Sequence, residues 1–233
     1  MTELPTPDRL PLTRIQRLIG TYMLQSKRTK ACAYMTVRAD LTELVAMRKA
    51  YCRQAGVRAT TNDFFIGAIA RAIVAFPQMA SAFSKDGQTL EISERIGVGF
   101  AVAAPQGLVV PVVQDVGHKS LPQLAAEGEA LLQKARANKL LPDDFDGANI
   151  VLTGLGMYGI ELFYAISPLS ALGIVSIGSI EDVVVPVENG VVTRKKMYVS
   201  LAFDQCAVDE FYAAGFLQHI VKALEDPWSL TRP

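Results

Sequence analysis

The sequence predicts an α+β protein, a two-layer sandwich in which helices pack on a mixed β-sheet. Five stretches carry apolar residues at helical spacing, runs rich in β-branched residues lie between them, and no stretch repeats another. With 233 residues, 50% of them hydrophobic, the chain can bury one large core.

The first eleven residues hold Pro5, Pro7 and Pro11, and proline fixes the backbone and removes a donor, so residues 1–11 read as an extended arm. Residues 12–233 read as a single domain. It opens with a helix whose stripe Leu12, Ile15, Leu18, Ile19 and Met23 is expected to be buried, with Thr13 as its cap. An alternating run, Tyr34 to Leu41, predicts a strand, and "TELVAMRKAYCRQAG" a helix that Gly56 ends. "TTNDFFIGAIARAIVAFPQM" predicts a core helix capped by Thr61 or Asn62 and stopped before Pro77.

Two β-rich runs then meet around Pro105, Gln106 and Gly107, as in a hairpin or sharp turn. "SLPQLAAEGEALLQKARANKL" predicts an amphipathic helix capped by Ser120, whose ordinary role is packing on the sheet rather than offering a partner groove. A polar turn at Asp143 to Gly147 leads into a third β-rich block, in which "ENGVV" carries an Asn-Gly hairpin signal. The stretch "YVSLAFDQCAVDEFYAAGFLQHI" begins as a strand and ends as a helix, with Asp204, Gln205, Cys206 and Asp209 at the join.

Lys and Arg number 23 and Asp and Glu 23, so the net charge is zero and no basic field exists to hold nucleic acid or a membrane surface. No apolar run has transmembrane length. Cys32, Cys52 and Cys206 show no metal-binding spacing with one another or with His118 and His219. Sparse, odd cysteines and the lack of a signal peptide point to the cytoplasm.

Five blocks in order carry a resemblance: "PLTRIQRLIGTYMLQSK", "TTNDFFIGAIARAI", "IGVGFAVAAPQGLVVPVV", "DGANIVLTGLGMYGIELFYAISPLSALGIVSIGSI" and "LAFDQCAVDEFYAAGFL". They resemble the catalytic domain of the dihydrolipoamide acyltransferases of 2-oxoacid dehydrogenase complexes, from about Leu12 to Leu230. The resemblance implies a chloramphenicol-acetyltransferase-like fold, a homotrimer with active sites in channels between subunits, and acyl transfer between CoA and a second thiol or hydroxyl. Acetyl-CoA or CoA is then a co-substrate with no permanently bound cofactor, and the partner is a small-molecule acceptor or a carrier thioester. Whether trimers build a larger cage stays open.

The family motif is Asp-His-Arg, two residues, then Asp-Gly, with the histidine as general base. Here that frame reads Asp204, Gln205, Cys206, Ala207, Val208, Asp209, Glu210. A carboxamide cannot remove a proton near neutrality, and loss of a positioned base costs roughly 10²- to 10⁴-fold in rate. The retained Asp209 is implied to pair with an arginine of the first helix, Arg17 or Arg14, with Asp204 in structural support. The oxyanion-stabilising serine falls at Thr153, whose hydroxyl can donate to a tetrahedral oxyanion; Thr153 as a strand residue capping the glycine turn is the plainer alternative. Gly154 stands where an asparagine is frequent and Cys32 where many members carry a histidine, and the resemblance implies that both line the channel.

Gly154, Gly156 and Gly159 lack the context of a phosphate-binding fingerprint and read as a tight backbone path past the channel, with Met157 and Tyr158 in the core or channel wall. Cys206 reads as a buried, inert thiol or, less simply, a nucleophile, and His118 and His219 as surface or packing residues.

Two functions follow. One is a stand-alone acyltransferase, similar to the acetyltransferases of tetronate natural-product pathways, with an already acidic acceptor or with Asp204, Cys206 or substrate assistance in place of the histidine. The other is a catalytically inactive trimeric subunit, similar to the histidine-lacking protein X of pyruvate dehydrogenase complexes.

Overall fold

One long strand, β11 (Gly190–Asp204), orders the sheet because its length lets different parts pair with different neighbours. The computed structural model describes residues 10–105 and 107–232, so most of the predicted arm, and Gln106 of the predicted turn, lie outside the described residues. The chain runs through α1 (Arg14–Thr29), β1 (Cys32–Asp40), α2 (Thr42–Ala55) and α3 (Thr61–Ala75) into β2 (Ser81–Phe83), β3 (Leu90–Ile92) and β4 (Gly97–Phe100). It continues through β5 (Val102–Ala104), β6 (Gly107–Val109), β7 (Val112–Val113) and α4 (Leu121–Arg136). The last part is β8 (Ala148–Gly154), β9 (Gly173–Ile177), β10 (Glu181–Val187), β11 and α5 (Glu210–Glu225).

The main sheet has the order β1-β11-β9-β8-β4-β7, with β10 also paired to β11. It is mixed: β8 runs parallel to β9 and β4, and β11 is antiparallel to β1, β9 and β10. The α+β sandwich read from the sequence is the architecture found. Strand alternation divides the core in two. Ile150, Leu152, Val175, Leu201 and Phe203 face α3 and α5, where Phe64, Phe65, Ile69 and Phe216 are fully buried. Val151, Ile174 and Ala202 face the other way, under Ala165 and Ala171 of the segment that links β8 to β9.

Most local predictions survive with small shifts. Thr13 caps α1 through a capping box with Gln16, and Gly56 ends α2 in the left-handed conformation, φ 64°. The cap of α3 is Thr60 rather than Thr61 or Asn62. The capping box needs an acid three residues on, and Asp63 Oδ2 accepts from both Thr60 N and Thr60 Oγ1 at 2.7 Å. The β10–β11 hairpin forms one residue early: Val187 pairs with Gly190, leaving Glu188 and Asn189 as the loop and Gly190 with φ 140°.

One expectation fails. The stripe Leu12, Ile15, Leu18 and Ile19 is exposed, Leu18 by 60%, Met23 is half-buried, and Ser26 is the buried residue of α1. The helical period was read correctly, but α1 lies where this chain offers little surface to cover its apolar face. No helix among the described residues is long and apolar enough to cross a membrane.

After β8 the chain doubles back so closely that two backbone crossings admit no side chain. A Cβ on Gly156 would overlap the Gly178 carbonyl, and a Cβ on Gly178 would overlap the Glu161 carbonyl. Overpacking of this kind costs about 1–3 kcal/mol. Gly178→Ala is expected to lower unfolding stability by that amount, read as a shift of the denaturant midpoint.

Candidate active site

β11 ends by delivering Asp204 to one end of the sheet, opposite Cys32 of β1, and Gln205 N–H donates to Ala31 O at 3.0 Å. The chain then turns into α5. Asp204 is 4% exposed; its Oδ1 accepts from Cys206 N at 3.1 Å, and its carbonyl accepts from Ala207 N at 3.0 Å. Asp209 is the helix cap, with Oδ1 accepting from Tyr212 N at 2.8 Å. Gln205, Cys206 and Glu210 are all exposed, and Gln205 Nε2 donates to Glu210 Oε1; Cys206 is therefore not the buried thiol expected, because it lies in the turn beyond the end of β11 rather than under the sheet.

The arginine expected beside Asp209 is not there. Arg17 Nη1 donates to Leu12 O at 2.6 Å, and among the described residues no ion pair joins Asp209 to Arg17 or Arg14. Asp209 instead accepts from the Tyr212 N–H in the first turn of α5.

The cation at this end is Lys30, which sequence reasoning missed. Its Nζ donates to Pro168 O and Ala171 O, and to Ser167 Oγ at 3.3 Å, tying the segment after β8 to the start of β1. Burial holds the Lys30 ammonium below its ordinary pKa, opposed by the nearby Asp204 carboxylate and Cys32 thiol. Burial likewise pushes the Cys32 thiol up, against the pull of Lys30. Alternation along β1 puts Tyr34 and Thr36 on the Cys32 face, where Tyr34 meets Tyr164 edge-on at 5.4 Å and Thr36 Oγ1 bonds Tyr164 OH at 3.0 Å.

Thr153 stands elsewhere. It pairs with Ser176, Ser176 pairs with Ser200 and Ser200 with Thr36, so four hydroxyl residues form one row across the sheet. Asp204 lies four residues beyond Ser200 on β11, about 13 Å of strand from that row. One chain therefore keeps Thr153 and Gln205 apart. Alternation also turns Thr153 away from the cavity beside it. That cavity, of about 770 Å³, is lined by Gly154, Gly156, Met157 and Tyr158, with Thr60, Asn62 and Ser179 among the polar groups. The predicted channel set thus splits: Gly154, Gly156 and Met157 line this cavity, and Cys32 sits at the Gln205 end. Ser179 Oγ is buried without a hydrogen-bond partner, which no sequence signal indicated.

The histidines stay away from Gln205. His118 follows β7, at the opposite edge of the sheet, and its Nδ1 bonds Asp115 Oδ1 at 2.7 Å. His219 packs edge-on against Phe76 at 5.9 Å. Among the described residues no group of three His, Cys, Asp or Glu side chains could hold a metal ion.

The mixed sheet with helices packed on it is the chloramphenicol-acetyltransferase-like fold. A chloramphenicol acetyltransferase itself superposes with a TM-score of 0.54 at 12% identity, covering 88% of this chain and 94% of that one, a likeness of fold alone. The chain belongs to the family described as 2-oxoacid dehydrogenases acyltransferase (catalytic domain), which it matches over residues 5–232.

A curated relative is the dihydrolipoyllysine-residue acetyltransferase component of the pyruvate dehydrogenase complex of Rickettsia felis, 29% identical over 222 residues, or 94% of this chain. The chain spans 53% of that relative's length. Among solved structures, the dihydrolipoamide acetyltransferase of Azotobacter vinelandii, studied for the catalytic roles of a serine, a histidine and an asparagine, is 30% identical with a TM-score of 0.90. The match covers 97% of this chain and 95% of that one. The cubic core of a pyruvate dehydrogenase multienzyme complex matches with the same identity, coverage and TM-score.

Removing Lys30 would leave two carbonyls without their donor beside a buried carboxylate. Lys30→Met is expected to cost about 2–4 kcal/mol, measured by equilibrium unfolding, and to loosen residues 164–171 in hydrogen exchange.

Proposed function

We propose that this chain is an acyltransferase that moves an acetyl or related acyl group from CoA, or from a lipoyl or carrier thioester, to a small-molecule hydroxyl or thiol. The observation that carries the reading is the separation of Thr153 from Gln205 along the sheet, together with the uncovered stripe of α1. Two half-sites that cannot meet within a chain, and an apolar face with no cover, are both answered by a homotrimer in which Thr153 of one subunit faces Gln205 of the next.

Two comparisons support this. Thr153, Gln205 and Asp209 stand at the same sequence spacings as the serine, histidine and asparagine studied in the Azotobacter vinelandii enzyme. The likeness to a cubic core supports a larger assembly of trimers as well. In the proposed site the Thr153 hydroxyl donates to the oxyanion of the tetrahedral intermediate. Asp209 and Asp204 fix the turn that presents Gln205. O-acetylation of a hydroxymethyl group, as in tetronate biosynthesis, is the finer form of the proposal, and three free cysteines suit a reducing cytoplasm.

A second reading, a trimeric binding subunit without activity, is favoured by one observation: no histidine of this chain stands near Gln205. CoA release from acetyl-CoA, followed with a thiol reagent over dihydrolipoamide and a panel of hydroxylated acceptors, separates the two. The enzyme reading expects turnover by wild type, a loss of about 10²- to 10³-fold in Thr153→Ala, and a trimer by sedimentation. Turnover confined to Gln205→His would establish the binding subunit instead.

A further inference from the structure

We propose that Glu210 takes the proton from the acceptor and that Gln205 acts as the positioning residue that aims it; this rests on the acyltransferase reading above. Three residues of the motif frame depart from the family pattern: Gln205, Cys206 and Glu210. Two of the three touch, Gln205 Nε2 donating to Glu210 Oε1, so the structure joins the substitution that removes a base to one that introduces a carboxylate. An ionised carboxylate accepts protons; a carboxamide does not. Both side chains are exposed in the single chain, on the first residue of α5 and in the turn before it, and Phe211 beside them is 90% exposed. The pair is open to a substrate.

Other candidates at this end are already committed. Asp204 is buried and accepts from Cys206 N. Burial pushes the pKa of the Cys32 thiol up, and Lys30 is spent on the carbonyls of Pro168 and Ala171. Asp209 is held by the Tyr212 N–H. Among the described residues Glu210 has one side-chain hydrogen bond, to a neutral amide, and keeps lone pairs for the acceptor, whereas Asp209, also exposed, differs in being the N-cap that α5 needs.

The step balances without a further reactant. The acceptor O–H or S–H gives its proton to Glu210 while its oxygen or sulfur bonds to the thioester carbonyl carbon. The tetrahedral oxyanion collapses, the carbon–sulfur bond of the donor breaks, and the departing thiolate recovers the proton from Glu210. Products are the acylated acceptor and the free thiol.

Steady-state kinetics of wild type, Glu210→Gln, Glu210→Asp and Gln205→Ala test it, with folding and assembly of each variant checked by circular dichroism and sedimentation. Glu210→Gln is expected to lower kcat by about 10²- to 10⁴-fold with the KM for acyl donor unchanged. Glu210→Asp keeps measurable turnover because it keeps the carboxylate. Gln205→Ala lowers kcat less and alters the acid limb of the pH profile, which a merely structural role would not move. The double variant Gln205→His with Glu210→Gly, which replaces the carboxylate by an imidazole, moves the acid limb of kcat/KM upward. Wild-type turnover that falls in Thr153→Ala but persists in a folded Glu210→Gln would overturn this assignment alone. An inactive wild type would overturn the enzyme reading with it.

Discussion

The register of β11 is the constraint on which the rest depends. Its C-terminal part is held from both sides, by β1 along Lys196 to Asp204 and by β9 along Val199 to Phe203. A one-residue slip in either ladder would turn Leu201 and Phe203 out of the α3–α5 core and drive Ala202 and Asp204 into it. The same hydrogen bonds fix where the strand stops, and therefore where Gln205 and Glu210 emerge. The candidate site is placed by packing far from it, because the core leaves the strand no other register.

At that end of the sheet the electrostatics serve architecture first. Lys30 is drawn out of water to gather the Pro168 and Ala171 carbonyls; burial lowers its pKa, and Asp204 and Cys32 partly offset that shift. Asp204 and Asp209 satisfy backbone N–H groups that the turn and the first turn of α5 would otherwise leave open. Nearly every ionisable group around the turn is thus tied to the backbone, which throws weight on the few side chains that are not.

Much of this was legible in the residues. Alternation, helical period, caps and turn glycines gave the elements because each depends on neighbours within a few positions, as with Thr13 and Gln16 or Gly56. What failed depended on distant chain. The period of α1 was right and its burial wrong, since amphipathicity says a face must be covered and not by what. Asp209 was matched to an arginine through the resemblance, whereas a helix terminus met the need locally. Lys30 carried no signal, because its partners lie more than a hundred residues away and are backbone carbonyls, which have no side-chain signature. The contact of Gln205 with Glu210 spans a turn whose geometry the sequence did not fix.

The β10–β11 hairpin continues past the end of β1, so the Gly190–Arg194 stretch of β11 has no β1 partner and β10 pairs with β11 alone. It carries Val184 and Val191 in exposed positions, a composition that invites another strand to dock. Pro186 interrupts the donors of β10, and Asp182, Arg194, Lys195 and Lys196 place charge near its base. The proline and the charges make the ribbon a poor template for edge-to-edge pairing with another strand.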